Sequence, residues 1–163
     1  MIKHLQLPGC AYFITTRLTD KLSIFTDEQC CKILLNDLYF YRKELEYLIY
    51  GYVIMPDHFH WIVHPSAKAD IPSIMNKVKG HSSFEINKYL SRTGQLWQKS
   101  YHDHIIRNGL DFEEKINYIH KNPYKAGLVE DLKNYKYSSF QNYHLGDESL
   151  IKIDIPNYSI NSR

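Results

Sequence analysis

The 163-residue sequence predicts one α+β domain with a ferredoxin-like βαββαβ order. Helices are expected on one face of an antiparallel sheet, with a further helix after the last strand. Short runs of β-branched and aromatic residues alternate with segments in which apolar residues recur at helical spacing. Two of the runs are separated only by Pro56-Asp57, which is typical of a tight hairpin.

The first strand and helix come from the amino-terminal third of the chain. Residues 10–18 (CAYFITTRL) are rich in strand-forming residue types. Thr26 followed by Gln29 has the pattern of a capping box, which predicts a helix with Thr26 as its N-cap. Apolar residues then recur at helical spacing, so the helix is expected to run to about Glu46.

A hairpin and a second helix follow. Residues 47–55 (YLIYGYVIM) are typical of a buried strand, and residues 58–64 (HFHWIVH) form its antiparallel neighbour after the Pro-Asp turn. Pro72 is well suited to the first turn of a helix, which is expected to end near Leu90.

The fourth strand and the last helix complete the pattern. Residues 96–107 (LWQKSYHDHIIR) predict a strand with an irregular start. Asp111 and Glu114 form a second capping-box pattern, and the helix that follows is expected to stop or kink at Pro123, just after Asn122. The domain is therefore expected to span residues 1–143, with residues 144–163 as a loosely ordered tail.

Composition restricts the setting without naming a partner. The chain has 20 Lys+Arg and 18 Asp+Glu, a balance that permits nucleic-acid binding but does not argue for it. Its three cysteines form neither a metal spacing nor a disulfide framework. With no signal peptide and no apolar stretch long enough for a membrane span, a cytoplasmic protein is expected.

His58 and His60 are candidate metal ligands. Alternate residues of a strand point to the same face, so the two imidazoles project together while Phe59 packs on the other side. Two convergent imidazoles suit a divalent metal, although two half-buried histidines with local hydrogen bonds are the simpler alternative. His64 lies too far along the strand to join one ion easily.

Tyr118 stands out on the last predicted helix. Asn122 is one turn further on and shares its face, so its amide oxygen is a candidate third ligand, with His104 and His120 as alternatives. A free phenol is a poor nucleophile at neutral pH, and nearby cations or a metal-bound phosphate would favour its attack. The alternative is a tyrosine that only packs.

Four segments together resemble a known family. Residues 51–65 (GYVIMPDHFHWIVHP) resemble the strand-turn-strand around the His-apolar-His motif of the HUH single-tyrosine transposases. Residues 118–140 (YIHKNPYKAGLVEDLKNYKYSSF) resemble the tyrosine block of the REP-associated tyrosine transposases, which ends in a Tyr-x-x-Ser-Ser pattern. Residues 96–107 and 13–18 (FITTRL) resemble the segment between these blocks and the first strand, so the resemblance covers about residues 10–140.

The resemblance implies a specific chemistry. Members of this family nick single-stranded DNA, often near a hairpin, by tyrosine attack that leaves a 5′-phosphotyrosine and a free 3′-OH. By position, Tyr118 would be the nucleophile, His58 and His60 would be metal ligands, and Asn122 would be the third. The metal would be Mg²⁺ or Mn²⁺, and the last helix would be the catalytic helix. No nucleotide cofactor is expected, in line with the lack of a P-loop pattern.

The expected partner is hairpin-forming single-stranded DNA. Candidate contacts are basic or aromatic residues near the predicted site: Lys79, Trp97, Arg107, Lys121 and Lys125. For Trp97, burial in the core is the alternative. Two other functions stay open: a domesticated protein that binds hairpins or single-stranded DNA without strand transfer, and a metal-dependent hydrolase in which water attacks. The protein could act as a monomer or a homodimer.

Overall fold

The computed structural model describes residues 6–158, which form a four-stranded antiparallel sheet with helices on both faces. The strands are β1 (Tyr12–Arg17), β2 (Leu48–Met55), β3 (His58–His64) and β4 (His102–Ile105), in the spatial order β2-β3-β1-β4. The α-helices are α1 (Glu28–Leu45), α2 (Ile71–Tyr89), α3 (Gly109–Lys125) and α4 (Phe140–Leu145). The order of the first six elements is the predicted ferredoxin-like βαββαβ.

The two faces of the sheet carry separate cores. Phe59 and Trp61 of β3 point into the larger core, which buries the inner faces of α1 and α2. Ile62, the next residue of β3, points to the opposite face and packs in a smaller core with Ile116 and Ile119 of α3. Because strand side chains alternate between faces, α3 covers the face that α1 and α2 leave open.

The predicted N-cap of the first helix is wrong by one residue. The Asp27 side chain caps α1 by accepting a 2.8 Å hydrogen bond from the backbone N–H of Gln29. Thr26 instead ends a short 3₁₀ turn, where its hydroxyl donates to the carbonyl of Ser23. A carboxylate near the helix start also interacts favourably with the helix dipole.

The fourth strand is shorter than predicted. Trp97 makes a single bridge with Leu18, and regular pairing with β1 begins only at His102. The indole of Trp97 turns into the larger core, so the chain leaves the sheet between the bridge and the strand.

The start and end of α3 also differ from the prediction. Asn108 is the N-cap, while the Asp111 carboxylate accepts from the backbone N–H of Arg107 and bonds His104. The helix continues through Pro123 to Lys125, because a proline removes only one backbone N–H donor and the other hydrogen bonds of the helix still form. Gly127, with a φ of 71°, follows the helix end.

The chain after α4 has no helix or strand within the described residues, yet it packs against the domain. Ile151 and Ile153 are buried in the larger core. The backbone N–H of Asp154 donates to the carbonyl of Ile49 at the start of β2. The expected domain limit at residue 143 falls inside α4, and residues 159–163 of the expected tail lie outside the described residues. Over residues 6–158, none of the helices is both long and apolar enough to span a membrane.

Candidate active site

His58 and His60 lie side by side on the sheet face that α3 covers. They are alternate residues of β3, and their ring centroids are 4.7 Å apart. Phe59 between them is buried in the core on the other face. The two imidazoles therefore lie on the same face of β3, as the alternation of strand side chains predicted.

Each imidazole is held through its Nδ1 atom. The Asp57 carboxylate lies 2.6 Å from Nδ1 of His58, and the Thr15 hydroxyl lies 2.7 Å from Nδ1 of His60. Nε2 of His60 is buried and has no hydrogen-bond partner within residues 6–158. A histidine that binds a metal through one nitrogen is typically oriented through the other by a polar partner. The orphaned nitrogen and the two Nδ1 partners therefore fit a divalent cation.

Burial keeps both histidines neutral. It lowers the pKa of His60 to about 3, with smaller contributions from His58 and Arg17. Burial likewise lowers the pKa of His58, although the neighbouring Asp57 acts in the opposite direction. The neutral imidazole is the form that binds metals, so these rings are ready to act as ligands at neutral pH.

Tyr118 projects from α3 onto the same cluster. Its ring meets His60 edge-on at 5.3 Å between centroids, and it remains 43% exposed. Phe13 of β1 stacks on His60 at 5.5 Å and contacts Tyr118 at 5.8 Å, so one aromatic side chain touches both. The two histidines and the tyrosine, about sixty residues apart in the chain, thus form one constellation.

Asn122 lies one turn after Tyr118 on an uninterrupted stretch of α3, so the two share a helix face. Within residues 6–158, no three His, Cys, Asp or Glu side chains are grouped in a way that could hold a metal. The Asn122 amide offers an oxygen donor of the kind that hard cations bind, and its role as a third ligand stays a prediction.

The alternative third ligands are engaged elsewhere. Nε2 of His104 lies 2.8 and 2.9 Å from the two carboxylate oxygens of Asp111. Nε2 of His120 is 2.9 Å from the Ser139 hydroxyl on the opposite flank of α3 from Tyr118. His64 lies 3.2 Å from the carbonyl of Gly9. The choice of Asn122 as the third ligand over His104 and His120 stays a prediction.

Lysines surround the exposed side of Tyr118. An open cavity of about 490 Å³ lies beside the phenol. The lining residues are Phe13, Glu114, Lys115, Asn117, Tyr118, Lys121 and Lys125. Lys115 lies 3.0 Å from the Glu114 carboxylate, and the three lysines still outnumber this one acid, so the cavity has a net positive charge that suits a phosphate chain.

The five predicted DNA contacts have different placements. Lys121 and Lys125 are exposed in this cavity, and Arg107 is exposed just before α3. Lys79 is half-buried and donates to the backbone carbonyls of Gln98 and Lys99 at 2.7 and 3.2 Å, which braces that loop.

The prediction that Trp97 stacks on bases is corrected by its burial. It is only 3% exposed, and its indole N–H donates to the Ser82 hydroxyl at 2.9 Å. Phe25 packs against the ring at 5.5 Å between centroids. The tryptophan is therefore a core residue, which was the alternative stated for it from the sequence.

Three residues of the site were not predicted: Phe13, Thr15 and Asp57. Asp57 is adjacent to His58 in sequence, which was an available signal. Phe13 and Thr15 lie on one face of β1, but only the pairing of Thr15 with His60 across β1 and β3 reveals their partners.

The fold and this constellation agree with the transposase family that the sequence resembles, and comparison with known families shows that family. The family model described as "Transposase IS200 like" matches residues 6–122, and the chain belongs to that family.

The particular relatives are REP-associated tyrosine transposases. The one from Escherichia coli (strain K12) is 24% identical over 139 residues, which is 85% of this chain and 81% of the relative. A solved structure of a REP-associated tyrosine transposase bound to a REP hairpin superposes with a TM-score of 0.78. It is 22% identical, and the match covers 100% of this chain and 97% of the other, which shows a shared fold.

Proposed function

We propose that this protein is a metal-dependent single-stranded DNA endonuclease and strand transferase that acts at hairpin-associated sites through a 5′-phosphotyrosine intermediate. The observation that carries the proposal is the contact between the rings of Tyr118 and His60, 5.3 Å apart. It joins an exposed phenol to a buried imidazole whose Nε2 has no partner within residues 6–158.

The proposed reaction exchanges one phosphodiester for another. The Tyr118 oxygen forms a bond to phosphorus while the bond from phosphorus to the 3′ oxygen of the DNA breaks. The phenol loses its proton and the leaving oxygen gains one, so the products are a 5′-phosphotyrosine and a 3′-OH. Because one phosphate ester replaces another, the reverse attack by a 3′-OH can join a new strand without an energy source.

A divalent cation, Mg²⁺ or Mn²⁺, would be held by His58 and His60, with Asn122 as the proposed third ligand. When bound, it would supply Lewis-acid polarisation of the phosphate oxygens. Thr15 and Asp57 orient the two imidazoles through their Nδ1 atoms at 2.7 and 2.6 Å.

The lysine-lined cavity supports a nucleic-acid substrate. Lys115, Lys121 and Lys125 lie around the phenol, where they would bind the phosphates on either side of the cleaved bond. The hairpin preference is carried over from the relative of the same fold that was solved with a REP hairpin. Arg107, exposed between β4 and α3, is proposed as a further phosphate contact.

The decisive experiment is adduct formation on a labelled hairpin oligonucleotide with single-stranded flanks, in Mn²⁺ and in EDTA. We expect a covalent protein–DNA band only with the metal. The Tyr118→Phe variant should lose the band while its hairpin affinity stays within about tenfold. Tyr124→Phe is the matched control, because Tyr124 is an exposed tyrosine of the same helix.

Other outcomes separate the competing functions. Binding without any adduct would identify a protein that only binds DNA. A free 5′-phosphate product without an adduct would identify a hydrolase. In His58→Ala the metal-dependent cleavage should disappear, and unchanged cleavage at saturating Mn²⁺ would remove His58 from the proposed ligand set.

A further inference from the structure

The helix that carries Tyr118 has two flanks with different partners. Tyr118 and Asn122 lie on the flank that faces the histidine pair, while Ile116 and His120 lie on the other flank, above β2. Ile119 lies between the flanks and is fully buried. A roll of α3 about its axis would therefore displace Tyr118 and His120 together.

The far flank is seated closely on β2. Gly51 leaves room for α3, because a Cβ atom at this position would lie 2.2 Å from Cδ1 of Ile116. The Ser139 hydroxyl lies 3.3 Å from the same point, so helix, strand and the later segment meet at one glycine.

A hydrogen-bond relay joins these three parts. The backbone N–H of Tyr52 donates to the Ser139 hydroxyl oxygen at 3.0 Å. The same hydroxyl also lies 2.9 Å from Nε2 of His120, and this second hydrogen bond can form in either imidazole tautomer, because a hydroxyl can both donate and accept. All three groups are buried: Ser139 is 0% exposed and His120 is 4% exposed.

Ser139 is itself fixed to the sheet. Its backbone N–H donates to the carbonyl of Tyr52, and the carbonyl of Tyr137 accepts from Ile54. Ser138 makes a bridge with Val53 of β2. The Tyr-x-x-Ser-Ser segment (residues 135–139) thus lies along the outer edge of β2, and its last serine reaches the helix.

We infer that His120 and Ser139 are positioning residues. Their hydrogen bond prevents α3 from rotating about its axis relative to β2, and so keeps the Tyr118 hydroxyl in the position needed for attack. This inference rests on the proposed role of Tyr118 as the nucleophile. Neither residue touches the histidine pair; each acts through the helix. The Tyr-x-x-Ser-Ser segment would thus contribute to the proposed reaction by positioning α3.

The expected change in rate follows from the distance between the Tyr118 side chain and the axis of α3. Side chains extend to about 5–6 Å from a helix axis, so a roll of roughly 15° moves the phenol by about 1.5 Å. A displacement of about 1 Å at the reacting atom can cost around 100-fold in rate. We therefore expect loss of the relay to slow adduct formation about 10- to 100-fold.

The test uses His120→Phe, which keeps a ring of similar size and removes the hydrogen bond. The readouts are the single-turnover rate of adduct formation at saturating hairpin and Mn²⁺, and the Kd of the hairpin. We expect the rate to fall about 10- to 100-fold while the Kd stays within about threefold. His120→Gln, whose amide can bond the Ser139 hydroxyl, should recover most of the rate. If His120→Phe does not fold, Ser139→Ala removes the same bond from the other side.

A matched control separates positioning from general stability. His81→Phe removes a bond of 2.8 Å to Asp37 between α1 and α2, on the opposite face of the sheet. It should lower the unfolding midpoint without slowing adduct formation. A wild-type rate in His120→Phe, or an equal loss in His81→Phe at the same degree of folding, would overturn the inference.

A second readout keeps the two proposals distinct. Amide hydrogen exchange in the second half of α3 should accelerate in His120→Phe and return towards wild type in His120→Gln. If wild-type protein forms no adduct but exchange follows this order, the relay stands and the proposed nucleophile fails. If the adduct forms and neither exchange nor rate responds to His120→Phe, the positioning role is refuted.

Discussion

Replacing Thr15 with valine tests how the buried histidine is held. Thr15 lies directly opposite His60 in the pairing of β1 with β3, and its hydroxyl is 2.7 Å from Nδ1 of the imidazole. Both side chains are largely buried, at 9% and 2% exposure. Valine has the same shape, so Thr15→Val removes the hydrogen bond with little change in packing.

The expected magnitude comes from the group that the change leaves behind. Nδ1 of His60 would be buried without a partner, which costs about 1–3 kcal/mol of unfolding free energy. Loss of a residue that orients a metal ligand typically lowers metal affinity about 10- to 100-fold. Because a tenfold change in affinity corresponds to about 1.4 kcal/mol, the expected loss of metal-binding free energy is similar in size to the expected loss of unfolding free energy. Stacking on Phe13 preserves the ring plane but does not select which nitrogen carries the proton.

The assay is calorimetric titration with Mn²⁺, combined with urea unfolding of the metal-free protein. Thr16→Val is the matched control, because Thr16 points to the other face and its buried hydroxyl has no partner within the described residues. That substitution should be neutral or stabilising. If both variants bind Mn²⁺ as tightly as the wild type, Thr15 does not orient a metal ligand.

Two further predictions concern burial. Trp97→Phe loses the hydrogen bond to Ser82 and should lower the unfolding free energy by about 1–3 kcal/mol. Its affinity for the hairpin, measured by fluorescence anisotropy, should stay within about threefold of wild type. A tenfold loss of affinity in the folded variant would show that Trp97 contacts DNA. Burial lowers the pKa of His60 and of His120 to about 3, whereas unfolded histidine titrates near 6.5. The unfolded state then binds more protons, so the unfolding free energy should fall as pH drops from about 6.5 towards 3, by up to about 1.4 kcal/mol per pH unit for each histidine. Urea unfolding over this range should show a shallower slope in His120→Phe than in wild type, and equal slopes would contradict the assignment.

Local pattern determined much of the fold. The hairpin of β2 and β3 and the shared face of His58 and His60 follow from the two-residue period of strands. The shared face of Tyr118 and Asn122 follows from helical spacing, which needs no tertiary information. The element order could be predicted for the same reason, because each element carries its own period.

Prediction from local pattern was least reliable where several side chains have the chemistry for the same role. Thr26 and Asp27 are both good caps, and the choice depended on which backbone N–H lay within reach. Trp97 and Lys79 have the chemistry of DNA contacts, but Trp97 is in the core, whereas Lys79 donates to the carbonyl of Gln98 and its contact with DNA stays a prediction. Residue type alone does not distinguish these roles, since burial depends on how distant elements pack.

The sequence by itself determined the β-α-β-β-α-β-α order and placed two imidazoles on one face of β3 and the phenol on a helix. Only the tertiary structure decided that α3 lies on the histidine face, that Tyr118 contacts His60, and that His120 turns away to Ser139. The physical reason is that strand and helix periods are properties of neighbouring residues. The meeting of β1, β3 and α3 depends on pairing register and on close packing at Gly51, which involve residues far apart in the chain.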